Sequence, residues 1–318
     1  MLKVTTSMRV LMPPTVRKRA LRAAARFTRG GSDMARLGYR RCPRPGTSPE
    51  STGSHVSFTH IAIVMPAYNE ADGIAGFLEE IHEHLASRCD RLDIIVADDR
   101  STDATASVVA HLELPGVEVQ TQPANRGHGP TALAAYRAGL ATSADLIVHV
   151  DGDGQFTGED IARVVGAVES EGADVVHGVR RGRDDPWYRR MLSAGLRLIV
   201  RPFAGRAVPD INTPLRAYRP EVIATLLDAV GADALVPHVH FSLAEARGRM
   251  SVRYVAVRSL PRRGAETTGT MWGTSGQPML PPPRLRAFAR DALIELWRLS
   301  LRPAAPMRGV REQARREA

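Results

Sequence analysis

What most constrains this chain is a change of pattern near residue 59, where short apolar runs begin to alternate with segments of helical period. Ile61–Met65 reads as a strand, followed by a helix over Gly73–Leu85 that carries Ile74, Phe77, Leu78, Ile81 and Leu85 on one face. Strands are expected again at Ile94–Ala97, Val117–Gln120, Leu146–Val150 and Val175–His177, with helices at Thr102–His111, Thr131–Leu140 and Ile161–Glu169 between them. Apolar runs without polar alternation belong to strands buried on both faces. Their alternation with helices predicts an α/β fold: a mostly parallel, doubly wound sheet flanked by helices in a single domain. No internal repeat is visible. Ligands of such sheets bind beyond the carboxyl ends of the strands, so the residues just after each run are where chemistry is expected.

Three of the first four strand ends carry carboxylates. Pro66-Ala67-Tyr68-Asn69-Glu70 follows the first, Asp98-Asp99-Arg100-Ser101-Thr102-Asp103 the second, Asn125-Arg126-Gly127-His128-Gly129 the third, and Asp151-Gly152-Asp153-Gly154-Gln155 the fourth. One such carboxylate is accounted for as a helix cap, and Asp103 or Ser101 fits that role. A whole edge of them is not. In an extended segment Asp151 and Asp153 point to the same side, and Gly152 between them leaves room for close approach. Two hard oxygen ligands on one face suit Mg²⁺ or Mn²⁺ shared with substrate phosphates, with Gln155 as a neutral oxygen donor. The plain alternative is an Asp-Gly turn. A divalent ion on two phosphates stabilises a departing nucleoside diphosphate, and Glu70 and Asp98 are then placed to accept from ribose hydroxyls or base N–H groups. No GxGxxG follows the first strand, which disfavours a dinucleotide cofactor.

Composition removes other classes. The formal charge of +9 over 318 residues is uneven: residues 1–50 hold 12 basic and 2 acidic groups, and residues 51–280 hold 22 and 28. The last 38 residues carry nine arginines against four acids. A nucleic-acid protein shows its basic footprint on the folded domain, so no nucleic-acid partner is expected. The only lysines are Lys3 and Lys18, so Schiff-base, pyridoxal phosphate and P-loop chemistry have no lysine in the body. Two cysteines, Cys42 and Cys89, make neither a zinc site nor a disulfide framework, and a cytoplasmic setting fits. No apolar run of about 18 residues is present, so no membrane-spanning helix is expected.

With these blocks in order, the chain resembles the family 2 inverting glycosyltransferases of GT-A fold. Within them it is similar to the dolichol-phosphate mannosyltransferase type, which uses polyprenyl phosphate acceptors. The resemblance runs from about residue 60 to 270. PAYNE matches the family's first nucleotide-binding block and implies Pro66, Tyr68 and Glu70 at the base and ribose. VADDRSTDAT matches the second block and implies Val96 and Asp98 at the nucleoside. DGDGQ matches the DxDxQ metal block and implies Asp151, Asp153 and Gln155 as ligands, with Val150 and Gly152 beside the phosphates. GVRRGRDDPWYRRMLS implies Arg180 at the diphosphate and Arg189 and Ser193 near an acceptor phosphate. DINTPLRAYR resembles the D…G-F-R segment through Asp210 and Arg216, and Arg262-Arg263-Gly264-Ala265-Glu266-Thr267-Thr268 resembles the R-x-x-G-E-S-K loop over the diphosphate.

Three departures stand out. Thr268 replaces the loop's closing lysine, Leu215 stands where an aromatic is preferred, and HVHFSLAEAR offers His238, His240 and Glu245 where an acidic residue is expected before the helix midpoint. The resemblance implies a metal-dependent hexosyl transfer with inversion from a UDP- or GDP-linked sugar to polyprenyl phosphate. The alternative is a soluble enzyme acting on a hydroxyl of a sugar, nucleoside or secondary metabolite. A phosphate acceptor needs no base, whereas a hydroxyl acceptor does; Asp185, Asp210, His238 and His240 are the candidates.

The chain divides into a basic leader at 1–56, expected to be mostly disordered, the catalytic domain at 57–270, and a Pro-rich linker with an amphipathic helix at 271–318. That helix places Leu285, Phe288, Ala292, Leu296 and Leu299 on one stripe and is expected to dock on the domain. The basic leader, in which Val16–Phe27 has amphipathic character, or this helix would hold the enzyme peripherally against an anionic membrane on the inner face of the plasma membrane.

Overall fold

The structure, a computed structural model, describes residues 58–181, 195–196, 198, 200–204, 208–264 and 283–310. The expected leader at 1–56 lies outside the described residues, as do Asp185, Arg189, Ser193 and residues 265–282. The strands are β1 (His60–Ala67), β2 (Arg91–Asp98), β3 (Val117–Thr121), β4 (Leu146–His149), β5 (Val175–Arg181), β6 (Arg216–Tyr218) and β7 (Val252–Arg258). The α-helices are α1 (Ile74–Leu85), α2 (Thr105–Ala110), α3 (His128–Ala141), α4 (Gly158–Glu171), α5 (Pro220–Val230), α6 (Pro237–Gly248) and α7 (Pro283–Leu296).

The strands form one sheet in the order β3-β2-β1-β4-β6-β5-β7. β6 runs antiparallel to β4 and β5, and the other pairings are parallel. This is the mostly parallel, helix-flanked α/β sheet expected. Successive side chains of β1 enter opposite cores, as the period of two requires. Ile61, Ile63 and Met65 join α1 and α4 residues such as Phe77 and Val164. Ala62 and Val64 join α3, α5 and α6 residues such as Leu133, Leu226 and Phe241. Full burial of such a side chain is worth roughly 1.5–3 kcal/mol, which explains the unbroken apolar runs.

The helix boundaries moved where side chains cap the backbone. α4 begins a turn before the expected Ile161 because Thr157 Oγ1 accepts from the Asp160 N–H at 3.0 Å. α2 begins at Thr105 instead of Thr102, because Asp103 Oδ1 accepts from the Thr105 N–H at 2.9 Å and holds the chain non-helical before it. Two strands were not among those expected. β6 is only three residues long and contains Arg216, and the 254–257 run of β7, at the sheet edge, is flanked by Arg253 and Arg258.

α7 ends in a π-type turn over Trp297–Leu301. Leu296 and Leu301 pack with Val239, Leu243 and Val200, while Phe288, Ala292 and Leu299 of the expected stripe are half-buried. Among the described residues no helix is long and apolar enough to cross a membrane.

Candidate active site

β2 and β3 lie on one side of β1 and β4 on the other, so the sheet's switch point falls between β1 and β4. Beyond β4 the chain stays zipped to β1: the Val150 N–H donates to Val64 O and the Gly152 N–H to Pro66 O, both at 3.1 Å. A Cβ on Gly152 would sit 3.1 Å from Pro66 O and 3.2 Å from the Ala67 Cβ. The glycine is therefore what lets the aspartate segment lie against the end of β1. Gly154 has φ +66°, a left-handed conformation that favours glycine.

Among the described residues, the buried Asp151 Oδ1 meets no hydrogen-bond donor; His128 Nε2 is 3.6 Å away, too far for a hydrogen bond. Burial, then the Asp151 charge, pushes the Asp153 carboxyl up to about 6, against the Gln155 N–H that its Oδ1 accepts at 3.1 Å. An orphaned carboxylate oxygen beside a second, charge-stressed carboxylate is an arrangement that a divalent cation relieves. Asp151, Asp153 and the half-buried Gln155 thus fit a hard ion of the Mg²⁺ or Mn²⁺ type. Among the described residues no group of three or more His, Cys, Asp or Glu is gathered to hold a metal.

The ends of β1 and β2 are ordered by short polar contacts. Asp98 is 1% exposed and accepts from the Ser101 N–H through both oxygens, at 3.2 and 3.3 Å. Tyr68 is half-buried and Pro66 buried. Val96 and Val150 are both fully buried in the core, so any ligand contact they make runs through the main chain. Asp99, to which the sequence reading gave no role, accepts from the Arg126 and Gly127 N–H groups, both at 2.8 Å, and ties β2 to the start of α3. That contact aims His128 at the edge. Asp103 is structural: besides Thr105, its Oδ2 accepts from the Ala71 N–H at 3.2 Å.

Among the described residues, Arg180, Arg262 and Arg263 are each held by a carboxylate. Arg180 Nε donates to Asp210 Oδ2 at 2.8 Å and its Nη2 to Asp210 Oδ1 at 3.2 Å. Arg262 pairs with both oxygens of Glu70. Burial pushes the Glu70 carboxyl up to about 7 against the pull of Arg262, with Asp153 and Asp151 adding to the rise. Arg263 pairs with Glu80, donates to Gly154 O at 3.2 Å, and lies 5.1 Å over the Phe77 ring. The Arg263 N–H donates to Asp153 O and the Leu260 N–H to Gln155 O, both at 3.0 Å, so the segment after β7 is stitched to the aspartate loop. Arg189, Ser193 and Thr268 lie outside the described residues.

Of the candidate bases, Asp210 is engaged by Arg180. His238 is buried, its Nε2 within 3.1 Å of the Tyr136 hydroxyl, and burial holds its pKa well below the usual histidine range. His240 is buried between Ser300 (2.7 Å) and Glu295 (3.0 Å). Glu245 lies inside the domain with Arg216, Tyr218 and His177.

A mostly parallel sheet with carboxylates at its switch point is an α/β architecture whose ligands bind beyond the strand ends. The chain belongs to the family described as glycosyl transferase family 2, whose model matches residues 62–227. It is 33% identical over 183 residues to the undecaprenyl-phosphate 4-deoxy-4-formamido-L-arabinose transferase of Sodalis glossinidius, covering 56% of this chain and 54% of that protein. It is 32% identical over 179 residues to the enzyme of the same name from Serratia proteamaculans, with the same coverage. The chain thus spans about half the length of the curated relatives it matches.

Among solved structures it is similar to glucosyl-3-phosphoglycerate synthase of Mycobacterium tuberculosis. With the UDP complex the TM-score is 0.57 at 22% identity, over 83% of this chain and 88% of that one. With a complex holding Mn²⁺, UDP-glucose and phosphoglyceric acid the TM-score is 0.56 at 20% identity, over 80% and 84%. At this identity the likeness establishes the GT-A fold.

Proposed function

We propose that this protein is a metal-dependent inverting glycosyltransferase that moves a sugar from a nucleoside-diphosphate sugar to polyprenyl phosphate. The observation that carries this reading is the Asp151-Gly152-Asp153 segment, zipped against β1 at the switch point, with an Asp151 oxygen that no described residue partners. The Sodalis and Serratia relatives, by name, use undecaprenyl phosphate. The synthase structure holds Mn²⁺ with UDP-glucose. Both support the donor and acceptor classes assigned here.

Asp151 and Asp153, with Gln155, would hold Mg²⁺ or Mn²⁺. The ion would supply charge stabilisation on the leaving diphosphate. Arg180 is fixed by Asp210 and presents a planar guanidinium suited to a phosphate oxygen. Arg262 is delivered by the segment after β7 and exchanges Glu70 for phosphate, releasing the Glu70 carboxyl for ribose or base donors. Asp98, Tyr68 and the Pro66 main chain shape the nucleoside side. Arg189 and Ser193 are assigned to the acceptor phosphate. Displacement at the anomeric carbon is in line, from the face opposite the diphosphate, so the configuration inverts.

Among the described residues, the candidate bases favour a phosphate acceptor: Asp210 is paired with Arg180, and His238 and His240 are buried against Tyr136 and against Ser300 and Glu295, whereas a phosphate oxygen arrives already ionised. The donor sugar is either a hexose or, as in the named relatives, a pentose derivative. The enzyme would act peripherally on the cytoplasmic face of an anionic membrane.

The test incubates the full chain with Mn²⁺, a panel of labelled UDP- and GDP-linked hexoses and pentoses, and polyprenyl phosphate, then partitions into organic solvent. Label in the lipid phase is expected. Label confined to a water-soluble product sinks the lipid-phosphate acceptor and points to a hydroxyl acceptor.

A further inference from the structure

The segment 210–214, which carries Asp210, is not part of a regular element, yet its carbonyls are held one after another by side chains from elsewhere. Ile211 O accepts from Arg216 Nη2 at 3.0 Å and from Ser242 Oγ at 3.1 Å. Asn212 O accepts from Arg180 Nη2 at 3.2 Å, Thr213 O from Arg216 Nε at 2.8 Å, and Pro214 O from His149 Nδ1 at 2.7 Å. The Thr213 hydroxyl donates to Gly178 O, two residues before Arg180 on β5. Arg216 is fully buried, its Nη1 turned to the Tyr218 hydroxyl at 3.1 Å and to Glu245 at 3.5 Å.

A buried guanidinium is costly, and a plain β-strand residue would pair β4 with β5 equally well. What Arg216 adds is two fixed donors aimed at two carbonyls of one loop, a planar fork that a flexible cation does not reproduce. Ser242 takes a hydrogen bond from the same Nη2, at 3.0 Å, and donates to the same Ile211 carbonyl, closing a three-membered clamp.

We propose that Arg216 is a positioning residue. Through the 211–213 backbone it sets Asp210, and through Asp210 it sets the Arg180 guanidinium that meets the donor diphosphate. This rests on the donor reading above. The chain of contacts runs from α6 (Ser242, Glu245) through Arg216 and the loop to the catalytic edge, with His149 supplying a second tie directly before the Asp151 segment on β4. A loop clamped in this way holds Arg180 in place before the donor arrives, so no ordering cost falls on binding.

The experiment is a double-mutant cycle, read as the affinity of Mn²⁺ with UDP, and separately with GDP, by calorimetry on the full chain. Arg180→Ala is expected to weaken binding at least about tenfold. Arg216→Gln, and the gentler Ser242→Ala, are expected to weaken it about three- to tenfold in the wild-type background and not measurably in the Arg180→Ala background. Ser242→Ala keeps the buried Arg216–Glu245 pair, so it reports even if Arg216→Gln fails to fold. Equal losses in both backgrounds, or no loss for a folded single variant, overturn the positioning role and leave the donor reading standing. A silent Arg180→Ala, or a wild type that binds neither nucleotide, overturns the donor reading and this proposal with it.

Discussion

Burial and the Asp151 charge raise the Asp153 carboxyl to about 6, so its ionised form is under strain in the metal-free protein. Removing that charge is expected to leave the fold intact and to remove the ion. Asp153→Asn is predicted to lower Mn²⁺ affinity at pH 7.5 by at least about tenfold and turnover by about 10²–10³. The melting temperature without metal should be unchanged or higher, because a repelled buried carboxylate is gone. Calorimetric titration with Mn²⁺ and differential scanning calorimetry check the two halves. The Asp151-Gly152-Asp153 block was picked out in the sequence as an extended strand end, but β4 stops at His149 and Gly152 and Asp153 lie in a turn, so their placement follows from that turn and not from the two-residue period of a strand. Asp99 and His128 were not assigned. An aspartate that accepts two main-chain N–H groups 27 and 28 residues away leaves no local pattern.

At the scale of elements, α7 has an apolar stripe that its periodicity located and a polar contact that it did not. Periodicity located the helix, and Leu285 and Leu296 are buried as its apolar face predicts. Glu295 on the same helix reads as an ordinary solvated acid. In the fold it turns inward and accepts from the Leu235 N–H at 2.8 Å and the Val236 N–H at 3.3 Å, capping the approach to α6, while facing His240. Glu295→Ala leaves those donors and His240 without their acceptor. It is predicted to cost about 1–3 kcal/mol and to raise hydrogen exchange at residues 233–240. Unchanged protection there would show that α7 does not brace the start of α6. β6 escaped notice for a related reason: its first residue is an arginine whose buried guanidinium finds most of its partners on β5, α6 and the loop before it.

For the whole molecule, two sets of buried groups oppose each other across neutral pH. His149 is pushed down to about 4, mainly by burial, and His238 and His177 are lowered for the same reason. Groups held neutral in this way contribute stability above the unfolded histidine value near 6.5, and that stability is lost as pH falls toward 4. Glu70 and Asp153 are raised, to about 7 and about 6. Their contribution is present below the ordinary carboxylate range and is lost as pH rises through those values. Without metal the two slopes partly cancel. With saturating Mn²⁺ the ion compensates the ionised Asp153, and its stabilisation grows as proton competition fades above about pH 6. Melting temperature measured at pH 5, 6 and 7.5 should therefore rise with pH more steeply in Mn²⁺ than in its absence. Parallel curves would mean that no ion binds at this carboxylate pair.

By itself the sequence determined the sheet and the acidic edge. Strand burial and helix amphipathicity are local periodicities, and the position of a ligand in a doubly wound sheet follows from where the strands end. Only the tertiary structure decided the state of the charged groups. Arg180 is held by Asp210 across 30 residues and Arg262 by Glu70 across 192, and no spacing rule reaches those separations. It also decided that His238 and His240, polar by composition, are interior residues, since burial is a property of what packs around a helix and not of the helix alone.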